Sequence, residues 1–248
     1  MKLMIRADDL GYSRGVNYGI YDSVKHGVIN NVGVMVNMPD TQHGVNLLKD
    51  LNVCFGQHTN ICVGKPLSDP SKIPSLVQEN GEFKPSSAYR NATEDFVDLD
   101  EVILEIEAQY ERYKQLMGKE PEYFEGHAVA SDNFLKGLEI VAKRHGLKYF
   151  GFAFDDKPII VNDNKVFIHM EAMDANYEPF AMIKRIVENP SKDGYDLVVF
   201  HPGYLDANIL EQSSLTIPRT QEVKLATSDR LVKYMQIHDI KLYTFDDL

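Results

Sequence analysis

The chain has no tryptophan and only two cysteines, Cys54 and Cys62, in 248 residues. The two thiols lack the paired spacing of a zinc knuckle or a redox motif. They read as reduced thiols of a cytoplasmic protein. The missing tryptophan counts against a groove for long polysaccharide chains. No stretch approaches the run of ~20 apolar residues that spans a bilayer. The opening, MKLMIRADD, reaches charge at once, without the apolar stretch of a signal peptide. Positive charge is short as well: 26 Lys and Arg stand against 37 Asp and Glu, a formal net charge of −11. Such a surface repels phosphate backbones and anionic membranes. Neither nucleic acid nor membrane is therefore expected as a partner. Neutral or cationic small molecules are.

What remains is ordinary for a globular enzyme: 44% hydrophobic residues and 25% charged. Strand-like and helix-like segments alternate. Strands are expected at 2–7, 29–37, 52–60, 122–128, 148–154, 166–173, 195–204 and 240–245. Ser13 is expected to cap a helix through Val16, Ile20 and Val24, and Asp98, with Glu101 three residues on, to start another. Further helices are expected at about 40–50, 133–146, 177–189 and 219–238. Between 61 and 97 lies a proline-rich irregular stretch, long enough to suggest a loop over a site. About seven β/α units without a linker imply parallel strands and right-handed crossovers. The expected fold is a single α/β domain, residues 1–248: an irregular, TIM-like β/α barrel of about seven parallel strands. Ligands then sit at the carboxyl ends of the strands.

Those ends carry the chemistry. The first strand runs into Asp8 and Asp9, the third carries His58, the fourth His127, and the late apolar strand reaches His201. Adjacent residues in a strand point to opposite faces, so Asp8 and Asp9 can share a site only where the strand ends and turns, near Gly11. His26, His145 and His238 fall near helix C-termini and read as structural. His43 and His169 receive no role. Two imidazoles and one carboxylate form an open metal site. Hydrolysis at such a site needs a base for the water and an acid for the leaving group. Five residues supply five parts.

The stretches ADDLG, GQHTN, EGHAVA and HPGY, in this order, resemble the YdjC-like carbohydrate deacetylases, the chitooligosaccharide deacetylase type. VNMP, GKPL and PRTQEVKLATS agree further, and the resemblance spans residues 3–245. It implies a TIM-like barrel, a divalent metal ion (magnesium or zinc) and hydrolytic removal of an N-acetyl group from a small sugar or oligosaccharide. It assigns the metal to Asp9, His58 and His127, the general base to Asp8 and the general acid to His201. Arg219 and Glu222 match a late pair placed near the substrate; the plain alternative is an ion pair at a helix start. In this scheme the protonated His201 delivers its proton to the departing amine. The chain departs from the family after His127, where Ala128-Val129-Ala130 replace a histidine-rich run, and at Leu10, where an aromatic is usual. The metal set is complete, while substrate contacts differ. A hydrolase of another ester or phosphoester and a non-catalytic sugar- or metal-binding homologue are the rivals. Homodimerisation is expected only from enzyme symmetry in general.

Overall fold

The computed structural model describes residues 1–152 and 157–248. Strand β1 (Lys2–Leu10) leads into α1 (Arg14–Lys25), β2 (Asn31–Val34), α2 (Thr41–Leu48) and β3 (Cys54–Thr59). The middle of the chain forms α3 (Ser86–Arg90), α4 (Leu99–Met117), β4 (Phe124–Gly126), α5 (Asp132–His145) and β5 (Tyr149–Phe150). Then come β6 (Ile159–Val161), β7 (Asn164–His169), α6 (Pro179–Glu188), β8 (Gly194–Phe200), α7 (Ala207–Gln212), α8 (Ile217–Ala226), α9 (Asp229–Ile237) and β9 (Lys241–Leu242).

The sheet runs β5-β4-β3-β2-β1-β8-β7-β6, with β9 on β1. All pairings from β5 to β7 are parallel, seven strands as expected, and β9 lies parallel to β1 as well. The remaining strand, β6, is an antiparallel edge formed by a hairpin with β7 that the sequence pattern did not reveal. Among the described residues no ladder joins β5 to β6, so the barrel stays open. The sheet nevertheless curls, because Phe150 of β5, Val161 of β6 and Leu197 of β8 share one inner core with Tyr123 and Phe245.

Alternation along the strands separates this inner core from the outer one. In β1, Leu3, Ile5 and Ala7 pack outward with α1 residues Val16 and Ile20. Met4 packs inward. In β8, Val198 and Phe200 face out while Leu197 and Val199 face in. Burial on both faces is what makes parallel strands read as continuous apolar runs.

Helix signals in the sequence are used as expected. Ser13 Oγ accepts from the N–H of Val16, and Asp98 accepts from the N–H groups of Asp100 and Glu101. The expected helix over 219–238 is two helices, because Ser228 caps a new start by accepting from the N–H of Leu231. The expected strand over 148–154 covers only β5; its residues 153–154 lie outside the described residues. The stretch 61–97 is anchored, since Ile61, Ile73, Leu76 and Phe83 join Val102 and Ile106 of α4 in a second core. The N–H groups of Leu67 and Ser68 donate to the buried carboxylate of Glu105, at 3.1 and 2.8 Å. No described helix is long and apolar enough to cross a membrane.

Candidate metal centre and active site

Asp8 and Asp9 do share a site, through a device within the strand. Asp9 has φ +75°, and the register between β1 and β2 slips between Ala7 and Leu10. This bulge re-aims one side chain of the adjacent pair, and aspartate tolerates the left-handed region better than most residues. The turn expected near Gly11 is therefore set earlier, at Asp9. Gly11 follows with φ +107°, where any Cβ would also lie 2.8 Å from the Met35 carbonyl.

Asp9 Oδ1 lies 3.3 Å from His58 Nε2 and 3.1 Å from His127 Nδ1, and the two ring nitrogens are 2.9 Å apart. All three side chains are buried, yet Asp9 Oδ1 makes no directed hydrogen bond. A triangle of donor atoms with edges near 3 Å is what ligands ~2.1 Å from one ion subtend at angles of roughly 90–110°. Two imidazoles and a carboxylate suit a divalent ion. The three groups thus fit a metal.

Two of these three side chains are held from behind. Arg219 Nη2 donates to Asp9 Oδ2 at 2.7 Å, leaving Oδ1 free. His58 Nδ1 bonds Glu125 Oε1, which fixes the ring so that Nε2 faces the triangle. Burial opposes charge on Asp9, but Arg219 and the two histidines outweigh it and hold its carboxyl well below the usual range. Burial likewise opposes charge on His127, but Asp9 lifts it to about 9 in the metal-free chain. Metal binding must displace such protons.

Asp8 is gripped by a second arginine. Arg6 Nε is 2.7 Å from Asp8 Oδ1, and Arg6 Nη2 is 2.7 Å from Asp8 Oδ2. Arg6 also reaches Glu125 Oε2 at 3.6 Å. Neither Arg6 nor Glu125 stands out from sequence motifs. Each lies two residues before a candidate, Asp8 and His127 respectively, and strand periodicity puts such pairs on one face. That spacing is the signal that could have found them.

His201 follows the end of β8. Its main-chain N–H donates to Glu222 Oε2 at 2.6 Å, and its carbonyl accepts from Arg219 Nη1 at 3.3 Å. Its Nδ1 is buried without a hydrogen-bond partner. Burial pushes the imidazole down to about 4, against the pull of Asp9 and Asp8. Arg219 and Glu222 both lie on α8 and are buried. The structure gives them separate partners rather than each other: Arg219 takes Asp9 and the Leu215 carbonyl, Glu222 takes His201 N–H and the Tyr177 hydroxyl at 2.8 Å. Burial lifts the Glu222 carboxyl to about 8 despite those two donors.

The remaining histidines sit apart. His26 and His238 are the C-cap residues of α1 and α9, and His145 ends α5 against Glu107 at 2.7 Å. His43 lies on α2 beside Asn17, and His169 pairs with the buried Asp196 at 2.9 Å.

The profile of the YdjC-like protein family matches residues 2–236. A protein of Listeria innocua named carbohydrate deacetylase 2 is 31% identical over all of this chain and 99% of its own length. A chitooligosaccharide deacetylase of Citrobacter koseri is 28% identical, covering 99% of this chain and 98% of its own. A crystal structure from Enterococcus faecalis V583, named provisionally as a cellobiose-phosphate cleavage protein, superposes with a TM-score of 0.83 at 21% identity, over 99% of this chain and 98% of that one.

Proposed function

This chain belongs to the YdjC-like family, and on that premise we propose that it is a metal-dependent hydrolase that removes acetate from a small N-acetylated sugar. The relatives named for carbohydrate and chitooligosaccharide deacetylation match it end to end, which supports a sugar deacetylase. The observation that carries the metal dependence is the buried triangle of Asp9 Oδ1, His58 Nε2 and His127 Nδ1. These three residues would hold a divalent ion, whose Lewis acidity acidifies water and polarises an acyl carbonyl.

The chain's own groups divide the rest. Asp8, fixed by Arg6, takes the proton of the attacking water. His201 gives a proton to the departing sugar amine. Because burial favours the neutral imidazole, the proton that Asp8 takes from the water is passed on to His201 before the amine departs, which leaves Asp8 ionised again. Arg219 and Glu222 act through others: one orients Asp9, the other the main chain at His201.

The test is acetate release from N-acetylglucosamine oligomers by metal-stripped protein, with and without added Mg²⁺ or Zn²⁺. Release should require metal and disappear in Asp8→Asn and His201→Ala. Equal release without metal, or in Asp9→Ala with His127→Ala, overturns the reading.

A further inference from the structure

The site contains two clusters of metal-ligating groups, and they share His58. Asp9, His58 and His127 form one; Asp8, His58 and Glu125 form the other, its donor atoms also within 4.8 Å of one another. The two clusters use opposite ring nitrogens of His58, Nε2 toward Asp9 and Nδ1 toward Glu125, so cations in the two places would be bridged by one imidazole and stand roughly 6 Å apart. The two clusters differ in one group. The second encloses a guanidinium, that of Arg6, 6% exposed and set over the Tyr123 ring at 5.8 Å.

We infer that Arg6 is a built-in cation occupying the place of a second metal ion: it keeps the centre mononuclear and holds Asp8 away from the ion. The inference rests on the reading of Asp9, His58 and His127 as ligands. Two buried carboxylates, Asp8 and Glu125, need compensating positive charge, and a guanidinium supplies it permanently. Its Nη2 donates to Asp8 Oδ2 at 2.7 Å, and its Nε lies 2.7 Å from Oδ1 as an ion contact without a directed hydrogen bond. Asp8 is thereby oriented by a charge that cannot leave. Glu125 is divided, with Oε2 toward Arg6 and Oε1 on His58 Nδ1, so the nitrogen a second ion would use is already engaged.

The neighbouring strand leaves room for this network. A Cβ at Gly33 of β2 would stand 3.0 Å from Asp8 Oδ1 and 3.1 Å from His58 Cβ. Stability alone does not explain the arrangement, since buried ion pairs are commonly replaceable by apolar groups without loss. Arg6 and Glu125 are thus positioning residues, which act through Asp8 and His58.

Ion stoichiometry distinguishes this role from a structural one. Metal-stripped protein is titrated with Zn²⁺ by calorimetry, and Co²⁺ spectra report the ligand set. The native chain should take up about one ion, and folded Arg6→Gln about two, with a second Co²⁺ band. Arg6→Lys keeps the charge but not the fork, so it should still take about one ion while kcat falls at least ~10-fold with little change in KM. Arg6→Gln that folds, by circular dichroism, yet binds one ion with native affinity overturns the inference. If Arg6→Gln does not fold, native kcat in Arg6→Lys overturns it instead. A native chain that binds no ion overturns the ligand reading itself, and is thereby distinguished from the other failures.

Discussion

On the β1–β3–β4 wall of the site, side chains hold side chains. Arg219 holds Asp9, Glu125 holds His58, and Arg6 holds Asp8. On the β8–α8 wall, side chains hold the main chain: Glu222 takes the N–H of His201 and Arg219 its carbonyl, while His201 Nδ1 has no partner. The difference suits two tasks. Ligands must keep fixed donor directions, because a small misplacement weakens metal binding. In the proposed reaction His201 accepts and gives up a proton on its ring, so its nitrogens are best left without fixed partners, whereas Asp8 keeps lone pairs free while Arg6 orients it. Fixing only the backbone of His201 positions the ring and leaves its chemistry free.

The largest effects should come from breaking the first wall at its ligands. Asp9→Asn and His127→Ala should each abolish measurable Zn²⁺ binding and lower kcat/KM by at least ~10³-fold, read by calorimetry and acetate release. Native ion affinity in either variant would remove that residue from the ligand set. On the other wall, His201→Ala should lower kcat by ~10²–10⁴-fold while ion affinity stays within a few-fold. A parallel loss of ion would mean that the walls are not separate.

Smaller effects sharpen the contrast. Arg219→Met should weaken ion binding by ~10–100-fold, because Asp9 Oδ2 loses its partner. Glu222→Gln, one helical turn away, should leave ion affinity near native and lower kcat, because its contact is the His201 main chain. Equal effects on ion affinity would contradict the assignment of Asp9 to Arg219 and of the His201 main-chain N–H to Glu222.

The smallest effect concerns pH and stability. Folding lowers the His201 imidazole from its ordinary value of 6.5 to about 4. Between those values the unfolded chain binds more protons, so this contribution to stability is present above about 6.5 and is lost as pH falls toward 4. In the metal-free protein His201→Asn should therefore flatten the acid limb of urea-unfolding stability measured from pH 7 to pH 4.5. An unchanged limb would show that His201 titrates as an exposed histidine does.

Much of this was legible in the chain itself, because some signals are local. Ser13 and Asp98 cap helices through bonds that reach only three residues ahead. The seven parallel strands follow from apolar runs alternating with amphipathic helices. His58, His127 and His201 could be grouped because parallel strands deliver their carboxyl ends to one side. Other features depend on partners far away. The hairpin of β6 and β7 follows a region with little periodicity, and its pairing to β8 is what makes it a sheet edge. Arg6 in KLMIRADD interrupts a buried strand without revealing its purpose, and Glu125 is separated from it by more than a hundred residues.

The sequence by itself determined which groups the candidate site has to work with, two carboxylates and three strand-end histidines, and set the chain's net negative charge. Tertiary structure alone decided how they are shared. The bulge at Asp9 turns one of two adjacent carboxylates toward His58 and His127, while Arg6 and Arg219, from opposite ends of the chain, take one aspartate each. Residue type sets the chemistry a group can perform. Direction, burial and charge pairing depend on contacts between strands and helices that are distant in sequence, and these separate Asp8 from Asp9.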